Sequence, residues 1–160
     1  MTERNVLVQN VSNATVVLSF QNANFTRELR GDGAKTYVPF NILEIGISEP
    51  GVDVLFNEGY LYIPDKQDRI DLHLEFEEDE ATEQEKRVMD KKDMLAMLRR
   101  GDAVEIKTTL ENLAIEQRNK LAEVAIDNKI TGYGICKLIK DYTDVDVMKA
   151  VKEAEEDSQE

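Results

Sequence analysis

The sequence predicts an α+β protein with a small N-terminal antiparallel β module containing short helical turns, an acidic connector, and a C-terminal bundle of four or five short helices. Early apolar residues alternate with polar ones, as at Val16, Leu18 and Phe20, and a period of two is typical of strands. Later apolar residues recur every three or four positions, as in amphipathic helices. Between the two patterns, the run from Glu75 to Glu85 has seven acidic residues in eleven. We predict a β-rich module over 1–74, an acidic connector over 75–87, a helical module over 88–153 and an acidic tail over 154–160.

Residues 5–38 predict a meander of short strands. The run that begins at Asn5, NVLVQNV, is rich in β-branched residues, and Gly31-Asp32-Gly33 supplies the backbone freedom of a tight turn. We predict a further strand over Tyr60 to Ile63. The clearest predicted strand covers Ile70 to Phe76, where apolar and polar residues alternate.

Two short helical segments interrupt the predicted strands. Asn41 is placed to cap a helix that covers Ile42 to Ile47, with Glu44 at the third helical position. Pro50 starts a second segment, because proline is favoured in the first turn of a helix. Apolar residues at helical spacing follow it: Val52, Leu55 and Phe56.

The C-terminal half carries the punctuation of several helices. Asp90 is a predicted N-cap and Gly101 a C-terminal cap, with Met94, Met97 and Leu98 between them as the apolar face. The apolar pattern of residues 110–125 fits one helix or two. Thr131 and Thr143 precede two more stripes, and Asp146 is placed for a capping box. Because isolated helices this short are marginal in water, we expect them to pack as a bundle.

The formal net charge of -13 is concentrated outside the predicted helical module. Residues 75–85 contribute -7 and residues 153–160 contribute -5, whereas residues 86–152 carry +3. Such acidic runs repel nucleic acid and are usually solvated, so we expect no nucleic-acid partner. No apolar run approaches the roughly 18 residues of a membrane span, so we expect no membrane partner. A single cysteine agrees with synthesis in a reducing cytoplasm.

The sequence offers little catalytic, cofactor-binding or metal-binding chemistry, and we predict no site of these kinds. His73, the only histidine, is expected on a solvated surface, and Cys136, the only cysteine, as a packing residue. One histidine and one cysteine cannot supply the about four ligands of a zinc site. The acidic run from Glu77 to Glu80 lacks the alternating ligands and the glycine of a calcium loop.

Two glycine motifs have structural explanations. Gly132-Tyr133-Gly134 lacks the spacing and the lysine of a phosphate-binding loop, and we expect it to ease entry into the following helix. Arg-Gly-Asp occurs at Arg30 to Asp32, where we expect a turn, and at Arg100 to Asp102, where we expect a helix end. These placements account for both tripeptides without receptor adhesion.

Several segments, read in order, resemble a family of small proteins that tailed bacteriophages of Gram-positive hosts encode and that are usually assigned to the virion. They are Val8 to Val16, Pro50-Gly51-Val52, Leu55-Phe56, Gly59 to Ile63 followed by Asp65, Asp93 to Leu98, Arg100-Gly101-Asp102, Gln117-Arg118, Ala125, and Thr143 to Ala150. The resemblance covers most of the chain and brings no catalytic residues. It implies a structural or accessory protein of the head, the head-tail joint or the tail.

Three classes of function follow. The first is a non-enzymatic virion protein, made in the host cytoplasm, with phage capsid or tail proteins as partners and a homo-oligomer left open. The second is an acidic phage-encoded inhibitor of a host defence or DNA-binding protein. A small enzyme is the third, and the missing acid-base pair, nucleophile and cofactor motif argue against it.

Overall fold

The structure of the protein is a computed structural model, and it describes residues 4–74 and 83–158. It confirms the α+β prediction, with strands in the N-terminal half and helices in the C-terminal half. The chain divides into two compact units, residues 1–88 and 89–160, which we call the N-terminal unit and the helical unit. No helix within the described ranges is long and apolar enough to cross a lipid bilayer.

Within residues 4–74 and 83–88, the N-terminal unit contains two antiparallel sheets. Its strands are β1 (Asn5–Asn10), β2 (Thr15–Phe20), β3 (Phe25–Arg30), β4 (Lys35–Pro39) and β5 (Leu61–Tyr62). Its helices are α1 (Phe40–Gly46), α2 (Pro50–Asn57), α3 (Lys66–Asp71) and α4 (Glu83–Arg87), and a 3-10 turn covers Gln21–Ala23. One sheet has the order β4-β1-β5, and the other pairs β2 with β3.

The predicted strands of residues 5–38 are present, but their predicted meander order is wrong. β1 pairs with β4, so that Val6 lies opposite Val38, whereas β2 pairs with β3. The buried side chain of Asn10 holds the crossing between the sheets, because its amide donates to Ala14 O at 2.8 Å and to Leu29 O at 3.0 Å. Its Oδ1 accepts from Ser12 N at 2.9 Å. These bonds satisfy backbone groups of the connection between β1 and β2 and of β3.

One face of each sheet builds the core of the N-terminal unit. Val6 and Val8 of β1 and Val38 of β4 are completely buried, as is Leu18 of β2. The helical spacing predicted after Pro50 is also present, because Val52 and Phe56 of α2 are buried in the same cluster. Apolar residues of strands and of helices therefore pack in one core, as expected for an α+β unit.

The strand predicted over Ile70 to Phe76 is wrong. Residues 66–71 form α3, whose N-cap Asp65 accepts a hydrogen bond from Asp68 N at 2.9 Å. The helix ends at His73, which has a left-handed backbone (φ 63), with bonds from His73 N to Ile70 O and from Leu74 N to Arg69 O. These two hydrogen bonds form a Schellman motif, which ends a helix at a position where we predicted an alternating strand. Residues 75 and 76 lie outside the described residues.

The cap predicted for α1 is also wrong, although the helix exists. Asn41 lies inside α1, and the N-cap position is Pro39, without a side-chain cap bond. The β1–β4 ladder explains the early start, because Phe40 N still donates to Arg4 O at 2.8 Å before the chain turns into the helix. The neighbouring strand therefore fixes where α1 begins.

The helical unit contains five helices within residues 89–158, the upper limit of the prediction. They are α5 (Lys91–Arg100), α6 (Ala103–Asn112), α7 (Ile115–Asp127), α8 (Tyr133–Thr143) and α9 (Val147–Ser158). Residues 110–125 belong to two helices, because Leu113 and Ala114 have extended backbones. The predicted caps of α5 are confirmed: Asp90 accepts from Lys92 N, and Gly101 is left-handed (φ 69).

Candidate interaction surface

The two residues with the most reactive side chains do not lie together. His73 is exposed at the end of α3 in the N-terminal unit, whereas Cys136 is buried in α8 of the helical unit. The Cys136 thiol donates to Ile130 O at 3.3 Å, and burial raises the pKa of this thiol. A raised pKa keeps the sulfur protonated, which is the weakly reactive form of cysteine.

Metal ligation finds no support within residues 4–74 and 83–158, because no group of three or more His, Cys, Asp or Glu side chains converges there. The acidic run from Glu77 to Glu80 lies outside the described residues. The glycine motifs lie where we predicted them. Gly132 is the N-cap of α8, Gly31 (φ 80) lies in the β3–β4 turn, and Gly101 ends α5.

Sequence reasoning missed a buried arginine in the N-terminal unit. Arg69 in α3 is 1% exposed, and its Nη1 donates to Ile63 O and Pro64 O at 2.8 Å and to the Tyr62 hydroxyl at 3.0 Å. Its Nη2 pairs with Glu85 of α4 at 2.9 Å. Arg69 therefore supplies donors to the carbonyls at the end of β5 and holds α4 against this unit. Arg69 and Leu72 are both buried and lie three positions apart, which is the spacing of a helix. The alternation of apolar residues from Ile70 to Leu74 favoured a strand instead.

The helical unit has an equivalent polar anchor at its beginning. Lys120 of α7 is 2% exposed and donates from Nζ to Met89 O at 2.9 Å. Gln117, one turn earlier on the same helix, accepts from Met89 N at 3.1 Å through Oε1. Both backbone groups of Met89 are thereby satisfied, which fixes the chain at the entry to α5.

The most distinctive surface of the N-terminal unit is the solvent face of the β4-β1-β5 sheet. Because strand side chains alternate between faces, Leu7 of β1 and Tyr37 of β4 point away from the core, and they lie directly opposite each other. Tyr37 is 65% exposed and Leu7 is half-buried. Together with Asn5, Pro64, Asp65 and Asp68 they line a shallow groove of about 410 Å³. We call this the sheet-face groove.

The outer edge of β4 borders the sheet-face groove. Bonds from Asn10 N to Ala34 O and from Phe40 N to Arg4 O lie at the two ends of the β1–β4 ladder. Bonded positions alternate in an antiparallel pair, so the backbone N–H and C=O groups of Lys35 and Tyr37 point away from β1. Among the described strands β4 pairs with β1 alone. Such an edge can accept a strand from another protein.

The far rim of the groove is acidic. Asp65, Asp68 and Asp71 lie on or next to α3, and a single arginine, Arg4, pairs with Asp68 and with Asp71, the latter at 2.8 Å. A hydrogen bond from Gln67 and a second from Arg4 lower the pKa of Asp71, and the two carboxylates raise the pKa of Arg4. With three aspartates and one arginine, these residues of the rim carry a formal charge that is negative.

An apolar floor, a strand edge with outward backbone groups and an acidic rim are features of a surface that binds protein. The sequence did contain a signal for it, which is the apolar run Val6-Leu7-Val8. Strands buried on one face alternate strictly, whereas continuous apolar runs are typical of strands covered on both faces. Comparisons with protein-family models, curated proteins and solved structures found no match to this chain.

Proposed function

We propose that this chain is a non-enzymatic structural or accessory protein of a tailed-bacteriophage virion, and that it binds another virion protein through the sheet-face groove and the edge of β4. The sequence resemblance supports the virion context. The half-buried Leu7 and the exposed Tyr37, on the solvent face of a sheet whose other face buries Val6, Val8 and Val38, carry the proposal of binding. Contiguous apolar surface of this kind marks interaction sites.

The partner best suited to this groove is a protein segment in extended conformation. Its backbone would pair with the outward groups of Lys35 and Tyr37, which gives affinity without a fixed sequence. Apolar side chains of the segment would cover Leu7 and Tyr37, and basic side chains would meet the acidic rim at Asp65. Tyrosine is enriched among residues that dominate binding energy, so Tyr37 is the expected anchor.

Quantitative mass spectrometry of purified virions tests the virion assignment. We expect the chain in intact particles at a constant ratio to the major capsid or tail protein. Absence of the chain from virions would refute the proposal. Recovery from host lysate of a DNA-binding defence protein in a salt-sensitive complex would instead favour the inhibitor hypothesis.

A pair of matched variants tests the surface. Tyr37→Glu places a charge in the sheet-face groove, whereas Val17→Glu places the same charge at an exposed position on β2, in the other sheet. In phage complemented with each variant, we expect the Tyr37 variant to be depleted from virions by at least about tenfold, because anchor residues contribute about 2 kcal/mol or more. The Val17 variant should be incorporated normally. Equal incorporation of both would exclude this groove as the binding surface and leave the virion assignment standing.

A further inference from the structure

We propose that the helical unit associates with a second copy of this chain through the exposed face of α8, with the two α8 helices antiparallel about a two-fold axis. We call this surface the α8 face; it consists of Tyr133, Lys137, Lys140 and Asp141, together with Met148 at the start of α9. The inference concerns a different unit from the sheet-face groove and does not depend on the virion proposal.

The α8 face combines large exposed apolar side chains with a surface depression. Tyr133 is 74% exposed and Met148 is 42% exposed, although both belong to residue types that are costly to leave in water. They line a groove of about 380 Å³ with Cys136, Lys137, Lys140, Asp141 and Asp146. Tyr133, Lys137 and Asp141 are spaced by four residues and therefore lie along one side of the helix.

The charges of the α8 face identify the second copy as the occupant, because they complement each other. Lys140 already pairs with Asp146 at 3.8 Å in the same chain. Lys137 and Asp141 form no ion pair with any described residue. The face thus offers one unmatched cation and one unmatched anion, four positions apart. A uniformly charged partner would satisfy one of them and repel the other, whereas an identical face satisfies both.

Antiparallel packing brings the required groups together. In a two-fold interface, if residue i contacts residue j, then j also contacts i, so Lys137 opposite Asp141 of the second copy creates two identical ion pairs. The same register places Tyr133 beyond the C-terminal end of α8 in the second copy, because α8 ends at Thr143 and Asp144 is left-handed. The chain continues there into α9, and Met148 of α9 lines the same groove as Tyr133. The apolar residues of each copy would then cover those of the other at both ends of the interface.

Concentration-dependent mass measurement of the full chain tests the association. By light scattering after size-exclusion chromatography and by sedimentation equilibrium, we expect a monomer–dimer equilibrium between about 10 μM and about 1 mM, as for a small interface. Tyr133→Glu should make the chain monomeric across this range. The matched control is Val104→Glu on α6, where the side chain is 75% exposed but lies outside the α8 face. A wild-type chain that is monomeric throughout, or equal effects of the two variants, would overturn the proposal.

Charge reversal distinguishes this register from other dimers. Lys137→Asp and Asp141→Lys should each raise the dimer dissociation constant by about tenfold, because each converts two attractive pairs into two repulsive ones. The double variant should restore the wild-type value. An equimolar mixture of the two single variants should also dimerise, since each then supplies the charge that the other lacks. Failure of both the double variant and the mixture to recover dimerisation would refute the antiparallel register.

Cys136 provides an independent readout, because it lines the same groove and is the only cysteine. Its thiol is buried, so its reaction is slow and depends on opening of the structure around the groove, which association should suppress. We expect its reaction with a maleimide to slow as the chain concentration rises, and to become independent of concentration in Tyr133→Glu. A reaction rate that does not change with concentration in the wild-type chain would argue against coverage of the α8 face.

Discussion

Replacement of Gly46 by alanine should destabilise the N-terminal unit, although glycine to alanine in a helix is usually stabilising. Gly46 is the last residue of α1, and a Cβ atom built there would lie 2.3 Å from Cδ1 and 2.7 Å from Cε1 of Phe20. Phe20 is buried at the end of β2. The ring therefore cannot move away without displacing its neighbours in the core.

The size of the effect follows from two opposing contributions. Overpacking a closed core costs typically about 1–3 kcal/mol, and a contact well below van der Waals distance places Gly46→Ala in the upper part of that range. The higher helix propensity of alanine stabilises the helix by less than about 1 kcal/mol at its end. We expect a net loss of about 2 kcal/mol in the free energy of unfolding, which corresponds to a fall of roughly 10 °C in Tm for a unit of this size.

Gly51 supplies the matched control. It lies in the first turn of α2, and a Cβ atom built there meets no other atom within 4 Å. Gly51→Ala should therefore stabilise the unit by about 0.5–1 kcal/mol, opposite in sign to the effect at Gly46. The measurement is urea unfolding followed by circular dichroism, with hydrogen exchange detected by mass spectrometry in peptides from residues 4–74.

A second substitution tests the cause assigned to Gly46. Phe20→Leu alone should destabilise the unit, because a shorter side chain leaves a cavity. In the Gly46→Ala background it should cost less, since the ring that collides with the new methyl group is removed, and the coupling energy should reach about 1 kcal/mol. Unchanged stability in Gly46→Ala, or strict additivity of the two changes, would refute the packing argument.

Three further predictions concern the polar anchors. Arg69→Met should destabilise the N-terminal unit by about 3 kcal/mol in urea unfolding, because two carbonyls lose a buried charged donor. Glu85→Gln should cost less than about 1 kcal/mol, because Glu85 is exposed. Similar costs for the two variants would contradict the assignment of the stabilisation to the bonds between Arg69 and the carbonyls. Lys120→Met should accelerate hydrogen exchange around Met89 and destabilise the helical unit by about 1–3 kcal/mol, and unchanged exchange there would show that the anchor is unimportant. Asp71→Asn should be less stable than the wild type at neutral pH, and the difference should shrink as the pH falls below about 4. The reason is that the hydrogen bonds from Gln67 and Arg4, which lower the pKa of Asp71, favour its ionised form. A difference in stability that stays constant with pH would contradict this ionic origin.

Local signals predicted the elements that local interactions determine. In α5, Asp90 and Gly101 bind the helix ends that they flank in sequence, so their positions are readable from residue types alone. In β2, alternation reports one buried face and one exposed face, and the structure has both. The order of the strands was not readable, because the partner of β1 lies about 30 residues away in the sequence, and local patterns do not report pairing at that distance.

The failure at residues 70–76 has a specific physical origin. Ile70, Leu72 and Leu74 alternate as in a strand, and a hydropathy pattern counts Arg69 as a polar residue facing water. In the structure the guanidinium of Arg69 is the buried group, because the carbonyls at the end of β5 provide acceptors for it. Reading Arg69 as buried changes the buried pattern from period two to period three, which is that of a helix. No inspection of residues 69–76 alone could supply those acceptors.

The candidate surfaces were hidden for a related reason, since each is defined by residues that only the fold brings together. Leu7 and Tyr37 are neighbours across β1 and β4, and Tyr133 and Met148 belong to different helices. The run Val6-Leu7-Val8 is nevertheless informative once the sheet is known. Val6 and Val8 are fully buried by this chain, whereas Leu7 completes an apolar run that folding of residues 4–74 covers only in part. On the solvent face of β1, Leu7 lies between the polar residues Asn5 and Gln9, so the apolar area there is formed by Leu7 and the neighbouring Tyr37. That partly uncovered pair is the physical argument for binding at the sheet-face groove.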